Sequence, residues 1–211
     1  LLITLAYSYE AFPTFTAFTR EDDDQSSFNQ ELRLVSTIEG PFSWIVGAFY
    51  NKFESESTSR EFTPGYAAFL GGSRPDNLEY ISSGFTDLTE QAVYGELSYE
   101  LTPRLTVTGG ARWYSYELDG RLAVDLPLLN TVFGGRAPDS IVLNYENSSQ
   151  SDDGWLFKFN ASYEVSDNIL AYATISEGYR IGDENGVTPC VGGGVGQSVC
   201  GQPDELSYTP D

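Results

Sequence analysis

From residue 155 to residue 165, apolar and polar side chains alternate almost without a break. Trp155, Phe157, Phe159, Ala161, Tyr163 and Val165 take the odd positions; Leu156, Lys158, Asn160, Ser162 and Glu164 take the even ones. A period of two sends successive side chains to opposite faces, so it predicts a strand with one oily and one polar face. Ser166, Asp167 and Asn168 are turn formers, and a second strand is expected from Ile169 to about Tyr179. Soluble strands average about 5–6 residues, whereas a tilted strand crossing an outer membrane needs about 9–11. This hairpin has the second length.

The same reading extends along the chain. Residues 1–10 predict a strand of weak alternation, and an acidic stretch, Glu21, Asp22, Asp23 and Asp24, reads as part of a connection. Strands follow at 28–38, with Leu32 and Leu34 opposite Glu31 and Arg33, and at 42–54, which is rich in aromatics. After a long connection at 55–86 comes a strand at 87–101, with Val93 and Leu97 opposite Glu90 and Glu96. A turn at 102–103 leads into 104–118, with Leu105 and Val107 opposite Thr106 and Arg112. A connection at 119–152, the hairpin, a connection at 181–205 and the start of a strand at 206–211 complete the pattern. Long and short connections alternate, the short ones being 39–41, 102–103 and 166–168. That asymmetry predicts an all-β fold, an antiparallel transmembrane β-barrel with short periplasmic turns and long extracellular loops, in preference to a soluble sandwich. About seven strands and a stub leave open edges that hydrocarbon cannot satisfy. Residues 1–211 are therefore expected to form part of a barrel, with the remaining strands outside this chain.

Composition narrows the function. The 211 residues carry a formal net charge of −20, with no His and no Met. The acidity leaves no basic patch to release counterions from phosphates, so no nucleic-acid partner is expected. Missing His removes the usual general base of hydrolase triads and the commonest transition-metal ligand; no enzyme activity and no cofactor are expected. No basic segment precedes the apolar start, as a signal peptide would require, and an export signal is expected upstream. No apolar run reaches the length of a transmembrane helix, which leaves a barrel open.

Several phrases, taken in order, resemble one family. Residues 28–34, FNQELRL, and 44–50, WIVGAFY, are similar to two consecutive strands of TonB-dependent outer-membrane receptors. Residues 104–113, RLTVTGGARW, 170–182, LAYATISEGYRIG, and 208–211, YTPD, resemble later phrases of the same family. After Gly182 the family pattern of Gly-Phe-Asn is replaced by Asp183, Glu184 and Asn185, so the shape of the following loop does not carry over. The resemblance implies an internal run of a plugged barrel of about 22 strands, with the plug domain outside this chain. It implies ligand-gated, energy-coupled uptake across the bacterial outer membrane of a ferric siderophore or similar scarce nutrient. The implied partners are outer-membrane lipid and lipopolysaccharide, a TonB-type energy-coupling protein acting through the plug, and a transported ligand such as an iron chelate. A passive porin-like channel and a β-rich adhesive or filament-forming surface fragment are the alternative readings.

Individual residues then acquire candidate roles. Cys190 and Cys200 flank VGGGVGQSV, and two thiolates without His make a poor metal site. A disulfide in an exported loop is expected instead, worth roughly 2–3 kcal/mol through restriction of the open ensemble. The acidic pairs Asp152–Asp153 and Asp183–Glu184, like residues 21–24, read as solvated loop carboxylates and not as metal cages. Arg33, Glu96, Arg112 and Lys158, with Glu31 and Glu164, are expected to face the lumen. There they either contact a plug or solvate a polar interior, and both roles fit the same geometry. Tyr179 and Arg180 are candidate ligand or rim contacts, in a position where aromatic girdles also occur.

Overall fold

Cross-strand pairing turns the alternating stretches into a ladder. The computed structural model describes residues 15–184, 190 and 207–208. Six strands form one sheet in sequence order: β1 (Phe18–Val35), β2 (Phe42–Phe62), β3 (Leu78–Thr102), β4 (Leu105–Asp125), β5 (Glu146–Ser166) and β6 (Ile169–Ser176). Partner numbers run in opposite directions along each neighbouring pair, as antiparallel strands require. Glu21 meets Ser59 and Ser26 meets Glu54 across β1 and β2; Lys158 pairs with Ser176 and Glu164 with Leu170 across β5 and β6. A second, two-stranded sheet joins β7 (Asp183–Glu184) to β8 (Ser207–Tyr208). Among the described residues two short helices occur, α1 (Tyr66–Phe69) and α2 (Pro127–Val132). The strand expected at residues 1–10 lies outside the described residues.

The short turns fall where the sequence puts them, between β1 and β2, β3 and β4, and β5 and β6. The long connections are shorter than expected, because the strands run further. β1 takes in the acidic stretch that reads as a connection. Asp22 sits between Arg20 and Arg60 at 3.0 and 2.6 Å, and Glu21 accepts from Ser59 at 2.7 Å. Opposite charges on facing strands suit a ladder, and they override the loop-like composition. β2 extends to Phe62 and β3 begins at Leu78, so the connection expected at 55–86 shrinks to 63–77; that at 119–152 shrinks to 126–145. β6 is the exception. It ends at Ser176 instead of Tyr179, and a coil follows.

The burial pattern is inverted relative to a water-soluble sandwich. Trp155, Phe157 and Phe159, on one face of β5, are 60, 56 and 53% exposed, and Val93, Leu97, Leu32 and Leu34 are also open. From Ser148 to Phe157 exposure alternates residue by residue. A broad exposed apolar surface on alternating strand positions is what a lipid-facing wall presents.

The described residues divide into two compact units. One comprises the described residues up to Asp24, with Glu56–Phe85 and Arg121–Glu146; the other comprises the described residues of Gln25–Ser55, Thr86–Gly120 and Asn147–Asp211. In the first, the two connections are locked together. Arg74, whose side chain is fully buried, pairs with Asp76 at 2.8 Å and donates to Thr131 Oγ1 and the Ser140 carbonyl at 3.2 and 3.0 Å. Gly72 packs so closely on Val132 that a β-carbon there would lie 2.7 Å from a methyl group. Asp125, also buried, accepts from the two terminal guanidinium nitrogens of Arg136, from Asn130 and from the Val142 amide, at 2.7–3.0 Å.

Candidate functional site

In the second unit, β1, β3, β4 and β5 bring charged side chains onto the face opposite the exposed apolar one. Alternation along β1 puts Glu31 and Arg33 on this face, with Leu32 and Leu34 on the other. The same pleat delivers Tyr94 and Glu96 from β3, Arg112 from β4 and Lys158 from β5. These residues line a pocket of about 430 Å³. Lys158 Nζ lies 2.9 Å from Glu96 Oε1, and Arg33 lies 2.9 Å from Glu31. The Tyr94 hydroxyl joins that second pair: it donates to Glu31 and accepts from Arg33 Nε at 3.1 Å. Arg112 lies 5.8 Å from the centre of the Phe49 ring, and its buried Nε has no hydrogen-bond partner among the described residues.

Next to the pocket lies an aromatic cluster built on Ala92, Tyr114 and Tyr116. Tyr114 donates to Asp152 at 2.8 Å. Tyr179 comes in from the coil after β6 and stacks on Tyr114, with ring centres 4.0 Å apart and planes 7° apart. Its hydroxyl donates to Glu90 at 3.1 Å. The coil starts at Glu177, whose amide still donates to the Phe157 carbonyl at 2.9 Å while its carboxylate takes the Phe157 amide at 2.8 Å.

All four candidate lumen residues, Arg33, Glu96, Arg112 and Lys158, therefore meet at one pocket. Of the rim candidates, Tyr179 is half-buried in the aromatic cluster and Arg180 is exposed on the same coil. Glu164 lies beside the short turn, its amide donating to the Arg104 carbonyl at 2.8 Å. Cys190 is not a free thiol; Cys200, its expected partner, lies outside the described residues. Among the described residues no group of acidic, Cys or His side chains is placed to hold a metal. Tyr94 carries no signal in a reading for charge.

Among the described residues the charged pairs line up side by side on a face left open by the sheet. Residues 3–204 match the family model described as TonB dependent receptor-like, beta-barrel. Among solved structures, the chain is similar to the ferric yersiniabactin uptake receptor FyuA from Yersinia pestis. Identity is 18% and the TM-score 0.67, over 94% of this chain and 26% of that one. It also matches the ferric-catecholate import receptor Fiu from E. coli K12 in its open form, at 16% identity and a TM-score of 0.47, over 74% of this chain and 26% of that one. The chain thus spans about a quarter of the length of these structures.

Proposed function

The chain belongs to the TonB-dependent receptor β-barrel family, whose members are outer-membrane transporters and not enzymes, and from that premise we propose that it forms part of the wall of a ligand-gated, energy-coupled uptake receptor. The exposed apolar face meets the hydrocarbon of the outer membrane and, further out, lipopolysaccharide. The charged face looks into the lumen and holds a plug through which a TonB-type partner acts. A ferric siderophore or similar chelate is the cargo. The observation that carries the reading is the ion-paired pocket of Glu31, Arg33, Glu96 and Lys158 on the face opposite the exposed aromatics. A passive pore needs only a polar lining, whereas here the charges are held in fixed pairs, Lys158 to Glu96 and Arg33 to Glu31 with Tyr94. The plug and the strands that close the wall are proposed to lie outside residues 1–211. Among the described residues β1 and β6 each have one neighbouring strand, and each unpaired backbone group in hydrocarbon costs several kcal/mol, which supports this. A reading frame without a plug would overturn that part.

The test is growth of cells whose only iron source is one of a panel of ferric chelates of hydroxamate, catecholate or carboxylate type. At least one should support growth only when the gene is present. Dependence on none of them would sink the siderophore reading. In the same strain Lys158→Glu, which sets two carboxylates against each other, should lower uptake at least tenfold at unchanged barrel yield. Exchanging the pair, Glu96→Lys with Lys158→Glu, should restore most of it; equal loss in both would show that the pair has no role in uptake.

We also propose the Cys190–Cys200 disulfide. Protein taken from the native envelope and alkylated without reductant should gain no label, and two labels after reduction. Two labelled thiols before reduction would rule the bridge out.

A further inference from the structure

Three glycines on the lumen-directed face of the second unit share one peculiarity: each is overlaid by a side chain from the neighbouring strand. A β-carbon built on Gly47 would lie 2.4 Å from the Tyr94 ring, one on Gly110 2.9 Å from Glu96 Cγ, and one on Gly154 3.1 Å from the Tyr114 ring. Real β-carbons essentially never come within 3.0 Å, so at Gly47 and Gly110 the side chain lies where a methyl group would stand, while at Gly154 the ring is packed tightly enough that it would have to give by a few tenths of an ångström. None of the three glycines has a positive φ. Backbone conformation therefore gives no reason for glycine here, and the close approach of the neighbouring side chain does.

We infer that Gly47 is a positioning residue for the charged pocket: it is the slot in β2 that lets Tyr94 lie across the strand and bring its hydroxyl to Glu31 and Arg33 on β1. β2 lies between β3, which carries Tyr94, and β1, which carries the charges. A phenol projecting straight from the sheet would not span an intervening strand, since neighbouring strands are about 4.7–4.9 Å apart. Lying flat over Gly47, Tyr94 spans it, donating to Glu31 and accepting from Arg33. The atoms a methyl group would strike are Tyr94 Cζ, the hydroxyl oxygen and Cε1, the end of the ring that makes these bonds. Any side chain at 47 therefore lifts that end away, releases Glu31 and Arg33 from their common partner, and raises the phenol into the lumen. Gly110 does the same for Glu96, whose carboxylate reaches Lys158 on β5. The glycines set the height and tilt of the groups that face the plug; the charges alone do not.

The inference rests on the plug-facing reading above, and the experiment separates the two. Full-length receptor is made as wild type, Gly47→Ala, Tyr94→Ala and the double variant, and each is checked for heat-modifiable migration. Denaturant midpoints in detergent come first. Gly47→Ala should lower the midpoint in the wild-type background and change nothing in the Tyr94→Ala background, because the methyl group then has no ring to strike. Equal losses in both backgrounds, or no loss in either, would overturn the inference. Entry of a bulky glycopeptide antibiotic into intact cells is the second measurement. Gly47→Ala and Tyr94→Ala should each raise sensitivity several-fold at equal surface level, and the double variant should match Tyr94→Ala. Coupled midpoints without any rise in sensitivity would keep Gly47 as the support of Tyr94 and overturn the plug-facing role of the pocket.

Discussion

Replacing Phe157 with Arg should cost about 2–4 kcal/mol of stability in lipid, the expense of a cation near the bilayer midplane. Phe157 lies on β5 between Trp155 and Phe159, all three on one exposed apolar face. The alternation of β5 sends Lys158 and Ser162 to the opposite face, where Lys158 meets Glu96. A folding titration of the complete receptor into lipid vesicles measures the loss, and Ser162→Arg on the other face is the matched control. The two variants should differ clearly, with Phe157→Arg the worse. Equal effects would mean that β5 does not present one face to lipid and one to water.

The second large effect is expected at Asp125→Ala, at the last residue of β4. Asp125 lies well past the apolar stretch of that strand and anchors the 126–145 segment through four donors. Removing this buried carboxylate takes the common acceptor away from Arg136, Asn130 and the Val142 amide at once, and donors left without a partner destabilise what they held. The loss should be local: rapid protease cleavage within 126–145, with the remaining strands protected. Unchanged cleavage would show that Arg74 holds the segment without Asp125. The same carboxylate gives a pH signature. Hydrogen bonding from Arg136 holds it at about 2, below its ordinary value of 3.8. A carboxylate depressed on folding stabilises fully above its unfolded value, and the contribution disappears as pH falls through the folded one. The segment should therefore stay protected at pH 5 and open as the pH is taken from about 4 to about 2. In Asp125→Asn that acid step should be missing.

Where hydrophobic contrast marks the pleat, the fold was open to reading. Trp155 to Val165 on β5, and Val93 to Leu101 on β3, face as their alternation says, because one face meets oil and the other water. Past those stretches both faces are polar. Ser55 to Glu61 and Asn147 to Asp153 look like loops, yet their backbone pairing continues, held by cross-strand contacts that no single stretch reveals. Asp22, for example, is a loop residue by composition and a ladder residue by virtue of Arg60. The pocket was half legible. Arg33, Glu96, Arg112 and Lys158 each declare a polar face. Which of them pair depends on the stagger between strands, and that is not written in any one of them. Tyr94 was hidden because an aromatic among apolar neighbours reads as part of the wall. β6 stops short because Tyr179 gains a ring partner in Tyr114 and its hydroxyl a carboxylate in Glu90.

The length of the hairpins carries one more consequence. β3 has 25 residues, roughly 80 Å of extended chain at about 3.3 Å per residue, while a tilted crossing uses about 9–11 residues. The surplus carries the connection at 63–77 to the one at 126–145, where Arg74 joins them, so a rung added to one hairpin must be matched in the other. Because one residue's slip exchanges the two faces of a strand, such changes are tolerated only in steps of two on each arm. Hairpin height should therefore drift among descendants of this sequence in even increments, with odd ones appearing only where a bulge absorbs the extra residue.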